Sequence, residues 1–245
     1  MKLLKKLLLA AVLLAGTGYA IAKPNTTGNI NFSEIVDRHL SGFNAVNVAG
    51  PFDVQITQGS TESVKVEAPS DVMSRVLTEV NGGVLKIYSK HDNWNWGNWW
   101  GNHKKIMVYV TVKDINSINI SGSGDVKFRD GINANSLKLN ISGSGDMTGV
   151  LHVKNLESSI SGSGDMRLSG SAQTQSIHVV GSGDYTAHSL TTVDSSVRLS
   201  GSGDVELNVS NKLDASVSGS GDVHYSGSPK NVSKSKSGSG DISGS

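Results

Sequence analysis

The stretch Ile118-Asn119-Ile120-Ser121-Gly122-Ser123-Gly124-Asp125-Val126-Lys127-Phe128 decides the fold. Every second residue is apolar or glycine, and the residues between are all polar. That is the two-residue period of a strand with one buried face and one wet face. The following copies keep the pattern: Leu139, Ile141, Gly143, Gly145 and Met147 in one, and Val197, Leu199, Gly201, Gly203, Val205 and Leu207 in another. A glycine on the inward face implies either an interior too narrow for a side chain or a bend that needs positive φ. The alternation alone does not separate the two.

Working outward, the string G-S-G-D occurs seven times. Its aspartates are Asp125, Asp146, Asp165, Asp184, Asp204, Asp222 and Asp241, spaced by 21, 19, 19, 20, 18 and 19 residues. Ser precedes the string in six copies and Val180 in the other. A degraded form extends upstream. Val46 to Val54 aligns with the repeat and places Asp53 on the same column; Val64 to Val72 follows 18 residues later, and Leu85 to Asp92 another 21. The step from Asp92 to Asp125 is 33 residues, one unit plus an insertion of about 14.

A repeat of about 19 residues matches the length of a leucine-rich repeat but lacks its L-x-x-L-x-L frame, and a propeller blade needs about 40 residues. The sequence therefore predicts an all-β fold: a right-handed, single-stranded parallel β-helix, or solenoid, of about 9–10 turns with ~19 residues per turn. Such a coil would measure roughly 45 Å along its axis. One turn cannot bury its own apolar face, so stacking is obligatory. The ends of a coil are open sheet edges. In the last copy Lys236 stands where earlier turns carry Ile120, Ile141, Ile160, Val179, Leu199 and Val217, with Lys230 and Lys234 nearby, which reads as a blunted edge. Asn31 to Leu40 is the expected first cap, with no conformation evident.

Residues 1–22 read as a secretory signal peptide. Lys2, Lys5 and Lys6 precede an apolar run over Leu7 to Ala15, and Ala20-Ile21-Ala22 fits the small-x-small cleavage rule before Lys23. Residues 23–42 form a lead-in or cap, and 43–245 the β-helix, with a Trp-rich insertion at 91–105. No Cys is present, which excludes a lipoprotein anchor, disulfide scaffolds and thiol chemistry. No membrane span is expected in the mature chain. The implied location is the periplasm, outer surface or extracellular space. Without the three leader lysines, 19 Lys and Arg face 21 Asp and Glu, a net charge of about −2 with no basic tract, so nucleic acid is not an expected partner. Gly contributes 29 of 245 residues and aromatics only 5%, which disfavours a large aromatic enzyme core.

Phe43-Asn44-Ala45-Val46-Asn47-Val48-Ala49-Gly50-Pro51-Phe52-Asp53-Val54-Gln55-Ile56-Thr57-Gln58-Gly59, then Gly83-Val84-Leu85-Lys86-Ile87, then the iterated S-G-S-G-D resemble the head GIN-domain family of putative autotransporter adhesins. The resemblance covers Phe43 to Ser245. It implies an exported right-handed β-helix acting at the cell surface, and supplies no catalytic or binding residues to carry over. No translocation barrel follows the repeats, so a self-translocating adhesin is not expected.

Two features could carry chemistry. The first is the column of Asp125, Asp146, Asp165, Asp184, Asp204, Asp222 and Asp241. Neighbouring carboxylates 4.8 Å apart in water would repel by about 0.9 kcal/mol, so each needs an offset. Local bonds from Ser hydroxyls or turn N–H groups would serve; a row of Ca²⁺ is the sharper alternative, although one carboxylate per turn is sparse for it. No cofactor or other metal is expected. The second feature is the insertion, which holds all four tryptophans: Trp94, Trp96, Trp99 and Trp100. Gly and Asn between them mark a loop or hairpin. Clustered indoles would either contact a glycan or surface protein or fold back over the coil. His91 and His103 flank them without a fixed ligand spacing. His152, His178, His188 and His224 read as ordinary polar positions.

No Ser-His-Asp set and no outstanding carboxylate or arginine cluster appears, so an enzyme is not expected. Ice binding would call for ranks of Thr. The function expected from the sequence is exported, non-enzymatic contact at the cell surface or envelope, as an adhesin or scaffold, with the Trp segment as recognition element. The alternative is a carbohydrate-active β-helix enzyme, a polysaccharide lyase or hydrolase.

Overall fold

The computed structural model describes residues 33–90 and 105–245. The first strands are β1 (Ser33–Asp37), β2 (Ala45–Ala49), β3 (Asp53–Gln58), β4 (Ser63–Pro69), β5 (Val76–Asn81), β6 (Val84–Ser89), β7 (Met107–Val112) and β8 (Ser117–Gly122). Then come long strands that each bend around most of a turn: β9 (Val126–Gly143), β10 (Met147–Gly162), β11 (Met166–Gly181), β12 (Tyr185–Gly201) and β13 (Val205–Gly219). The coil closes with β14 (Val223–Ser226), β15 (Asn231–Gly238) and β16 (Ile242–Gly244).

From β8 onward the coil is as the spacing predicts. β9 to β13 pair in parallel, each with the next, and the register sets Ile141 beside Ile160, Val179, Leu199 and Val217 in turn. The inward positions of each turn are buried; along β10 they are Met147, Gly149, Leu151, Val153, Leu156, Ser158 and Ile160. The alternation breaks at Lys154-Asn155, two exposed residues in succession, and there the strand turns a corner. The second corner is the glycine–aspartate string.

The number of turns is smaller than the sequence suggests. The coil has about 7 turns of ~19 residues, not 9–10. Residues 59–116 do not add three stacked units. β2 pairs in parallel with β8 and β3 with β9, so the turn holding Asp53 lies directly against the turn holding Asp125. The intervening strands extend the other side of that first turn: β6 pairs in parallel with β2 and β7 with β3, but β5 runs antiparallel to β6 and β4 antiparallel to β7. The reversal has a local cause. Asn81-Gly82-Gly83-Val84 is a two-residue hairpin in which both glycines take positive φ, 58° and 77°, the geometry of the turn that matches strand twist. Asp71 accordingly follows β4 in a turn and is not part of the aspartate column.

Both ends are finished by polar groups. At the first, β1 pairs antiparallel along β4, and the Arg38 guanidinium donates to the carbonyls of Met73 and Val76 at 3.3 and 3.1 Å. At the last, Lys234 and Lys236 occupy the column positions next to Ala215 and Val217. The Lys234 ammonium donates to the Ile242 carbonyl at 2.8 Å and sits 4.9 Å from the centroid of the Tyr225 ring. A polar cluster interrupts the apolar interior midway. Gln175, 3% exposed, donates to the hydroxyl of fully buried Tyr185 at 2.6 Å, and Ser158 lies 3.5 Å from the same hydroxyl.

Candidate functional site

The glycine–aspartate corner resolves the two roles that the alternation left open. Both apply, each to its own glycine. Gly162, the first of its string, has φ 130°, a conformation that L side chains rarely adopt, and its equivalents in the other turns do the same. Gly164, the second, has no such φ and is buried. A Cβ there would overlap the carbonyl oxygen of Gly145 in the neighbouring turn. In the first turn the same place is taken by Phe52, fully buried, against whose backbone Gly124 packs.

The tight corner brings the aspartates into one column. The backbone N–H of each donates to Oδ1 of the aspartate one turn before it. The bonds run from Asp125 to Asp53 at 3.4 Å, Asp146 to Asp125 at 3.2 Å, Asp165 to Asp146 at 2.9 Å and Asp184 to Asp165 at 3.0 Å. They continue from Asp204 to Asp184 at 2.9 Å, Asp222 to Asp204 at 2.8 Å and Asp241 to Asp222 at 2.7 Å. The donor is thus the next aspartate's own amide, an inter-turn bond, rather than a Ser hydroxyl. Three basic side chains add to the offset. Lys105 Nζ lies 2.8 Å from Asp53 Oδ2, and that hydrogen bond with its charge attraction holds the lysine above its ordinary pKa. Arg167 bridges Asp165 at 2.7 Å and Asp146 at 3.8 Å. Lys236, 3.2 Å from Asp241, draws that carboxyl below its usual range, helped by the Ile242 amide. Among the described residues no three His, Asp or Glu side chains converge as a metal-binding group.

Trp94, Trp96, Trp99 and Trp100, with His91 and His103, lie outside the described residues, as do residues 1–22, the expected signal peptide. The ends of the Trp segment are described. Lys90 follows β6, whose Tyr88 lies beside Ala49, and its N–H donates to the Arg75 carbonyl at 2.8 Å. Lys105 and Ile106 lead into β7 beside Asp53, whose N–H donates to the Ile106 carbonyl at 3.0 Å. Residues 91–104 therefore stand in the chain where other turns have their glycine–aspartate corner.

The other corner carries a feature to which the sequence reading assigned nothing. Beside the protruding residues Lys154, Gln173 and Val193 runs an open groove of about 670 Å³ with small side chains at its base. The signal was present in the sequence: two polar residues in succession, Lys154-Asn155, break an otherwise strict alternation. His152, read as an ordinary polar position, lines this groove, and its Nδ1 lies 3.0 Å from Ser171 Oγ.

A single coil of stacked short turns with a glycine-built corner makes this protein a β-solenoid. The chain belongs to the family described as "Putative auto-transporter adhesin, head GIN domain", whose model matches residues 42–229. The solved structures agree. A putative adhesin from Bacteroides fragilis is 25% identical over 87% of this chain and 97% of its own, with a TM-score of 0.82. A protein from Parabacteroides distasonis named as a putative lipid binding protein is 25% identical over 89% of this chain and 98% of its own, with a TM-score of 0.69. A putative adhesin from the same organism shares the fold, at 22% identity over 88% and 98% and a TM-score of 0.70. No curated protein matches the chain. No helix among the described residues is long and apolar enough to cross a membrane.

Proposed function

We propose that the protein is exported and works by contact at the cell surface or envelope, without catalysis, and that Trp94, Trp96, Trp99 and Trp100 form its recognition element toward a glycan or a surface protein. The observation that carries this is the position of the segment's ends. The strands before Lys90 and after Lys105 pair with β2 and β3, which Gly50 to Phe52 connect, and fourteen residues, 91–104, lie between them in sequence. All four tryptophans of the chain fall within that longer segment, and clustered indoles combine large contact area with few rotors. Membership in a family described as an adhesin supports the same reading.

The test is a pair of variants, Trp94→Ala/Trp96→Ala and Trp99→Ala/Trp100→Ala. Loss of binding to intact cells at an unchanged melting temperature supports recognition. A fall in melting temperature assigns the indoles to packing instead, and release of a sugar product from a glycan substrate overturns the non-enzymatic reading. Amino-terminal sequencing of the mature protein checks export, with Lys23 as the expected first residue.

A further inference from the structure

The groove beside the Lys154 corner is the strongest unassigned feature of the coil. Its floor follows the chain at Ala134, Val153, Ala172 and Thr192, one residue per turn, the last three with buried side chains. One wall carries Asn133, His152, Ser171 and Thr191 on successive turns; the other carries Lys154, Gln173 and Val193. Equivalent positions, with different side chains, therefore recur at about 4.8 Å, the spacing of paired strands, over a length of roughly 14 Å. No acidic side chain lines the groove, in contrast to the glycine–aspartate corner, which gathers a whole column of carboxylates. The Lys154, Gln173 and Asn133 side chains make no hydrogen bond among the described residues, while the Asn133 backbone bonds the Gln58 side chain through both its N–H and its carbonyl; His152 spends only Nδ1 on Ser171.

We infer that this groove binds one extended strand of an acidic polysaccharide, rich in uronic acid. The rung spacing is close to the length of one pyranose unit in an extended chain, so a single register can set one rung of wall side chains against each consecutive sugar. Val193, 45% exposed, offers an apolar surface to the C–H face of a pyranose ring. The amides and hydroxyls of the walls suit its hydroxyl groups, and Lys154 with His152 Nε2 suits the carboxylates. The strands that carry the walls are paired, so binding has side chains rather than backbone to order. An extended peptide is a poorer occupant. It would seek a free strand edge for its backbone bonds, whereas β10, β11 and β12 are paired on both sides. The inference does not depend on residues 91–104, so it stands or falls apart from the contact role proposed for the tryptophans.

The experiment is calorimetric titration of the purified protein at low salt with oligogalacturonates of increasing length, with neutral cello-oligosaccharides of matched length alongside. The uronates bind, and their affinity rises with length until about four units fill the groove, then levels off. Lys154→Glu weakens binding by about tenfold, and Gln173→Glu weakens it as well, both at an unchanged melting temperature. Trp99→Ala/Trp100→Ala leaves this binding unchanged. Three results would each overturn the inference: no uronate binding, equal affinity for the neutral oligomers, or affinity that ignores both groove variants and follows the tryptophan variant.

Discussion

The backbone N–H of Asp204 donates to Oδ1 of Asp184 at 2.9 Å, so the side chain of one turn holds the main chain of the next. A bond of this kind needs an oxygen acceptor at the position but not a negative charge. The charge is a cost, because neighbouring carboxylates of the column share one edge of the coil. Asp184→Asn keeps an acceptor oxygen and removes a like charge, and its stability is expected to lie within about 0.5 kcal/mol of the wild type. Asp184→Ala leaves the Asp204 amide without its partner, at an expected cost of about 1–2 kcal/mol. Urea midpoints of the two variants check this. If both variants were equally stable, the bond would contribute nothing.

Gly164→Ala tests the close approach of successive corners. The added methyl would overlap the Gly145 carbonyl oxygen, a backbone atom that cannot swing away, and would also crowd the Ile141 side chain. The turns would have to part locally, breaking inter-turn bonds on both sides. A loss of more than about 3 kcal/mol is expected. Ser163→Ala, one residue away on the exposed face, is expected to stay within about 0.5 kcal/mol. Thermal melts of the pair decide, and equal stability would mean that the corner has room to spare.

How much of this was legible in the sequence depends on how regular each part is. Between Ser117 and Ser245 the alternation of apolar and polar residues and the corner are written once per turn, and lysines break the apolar column only at the last rung, so periodicity and its interruption recover register, corner and end. Between Gly59 and Asn116 the same apolar alternation persists, and it misleads, because a strand buries every second residue whether its neighbour is parallel or antiparallel. The one local mark of the reversal is Asn81-Gly82-Gly83, a hairpin signal that outranks the alignment of Leu85 to Asp92 with the repeat. Of the aspartate column, Asp53 was legible because Gly50-Pro51-Phe52-Asp53 preserves the corner. Its stacking directly on Asp125 was not, because sequence distance does not reveal an excursion that folds back. The groove beside Lys154 escaped notice for a different reason: the break in alternation at Lys154-Asn155 marks a corner, but not that the corner leaves an open groove.

The column also makes an expectation about calcium. One oxygen of every carboxylate but the last, Asp241, is already an acceptor for the next turn's amide, and Lys105, Arg167 and Lys236 engage four of the carboxylates. A calcium ion prefers six to eight oxygens, and one carboxylate per turn would force it to draw on several rungs and displace those bonds. The melting temperature is expected to stay constant as calcium is raised to millimolar concentration. A rise that saturates would show that the column gives up its inter-turn bonds for the ion.

Tyr185 gives the coil a defined response to alkali. Its ring lies within the stack of inward residues, fully buried, and burial pushes the phenol up to about 12 from an ordinary 10, against the opposing pull of Ser158 and Gln175. Between pH 10 and 12 the unfolded chain has lost this proton while the folded chain keeps it, so the unfolded state binds fewer protons and stability falls as pH rises. The slope attributable to this one group is about 1.4 kcal/mol per pH unit across that window. Tyr185→Phe keeps the ring and removes the ionisation. It also leaves the Gln175 amide without the hydroxyl that accepts from it at 2.6 Å, a cost of about 1–3 kcal/mol at neutral pH. The two proteins should therefore approach one another in stability. The wild type is ahead at pH 8, and by pH 11 its lead has shrunk by about 1.4 kcal/mol, because the other titrating groups are common to both and cancel in the comparison. Denaturant midpoints of the pair at the two pH values measure that difference. A gap that stays constant would mean that the phenol ionises inside the coil as readily as in water.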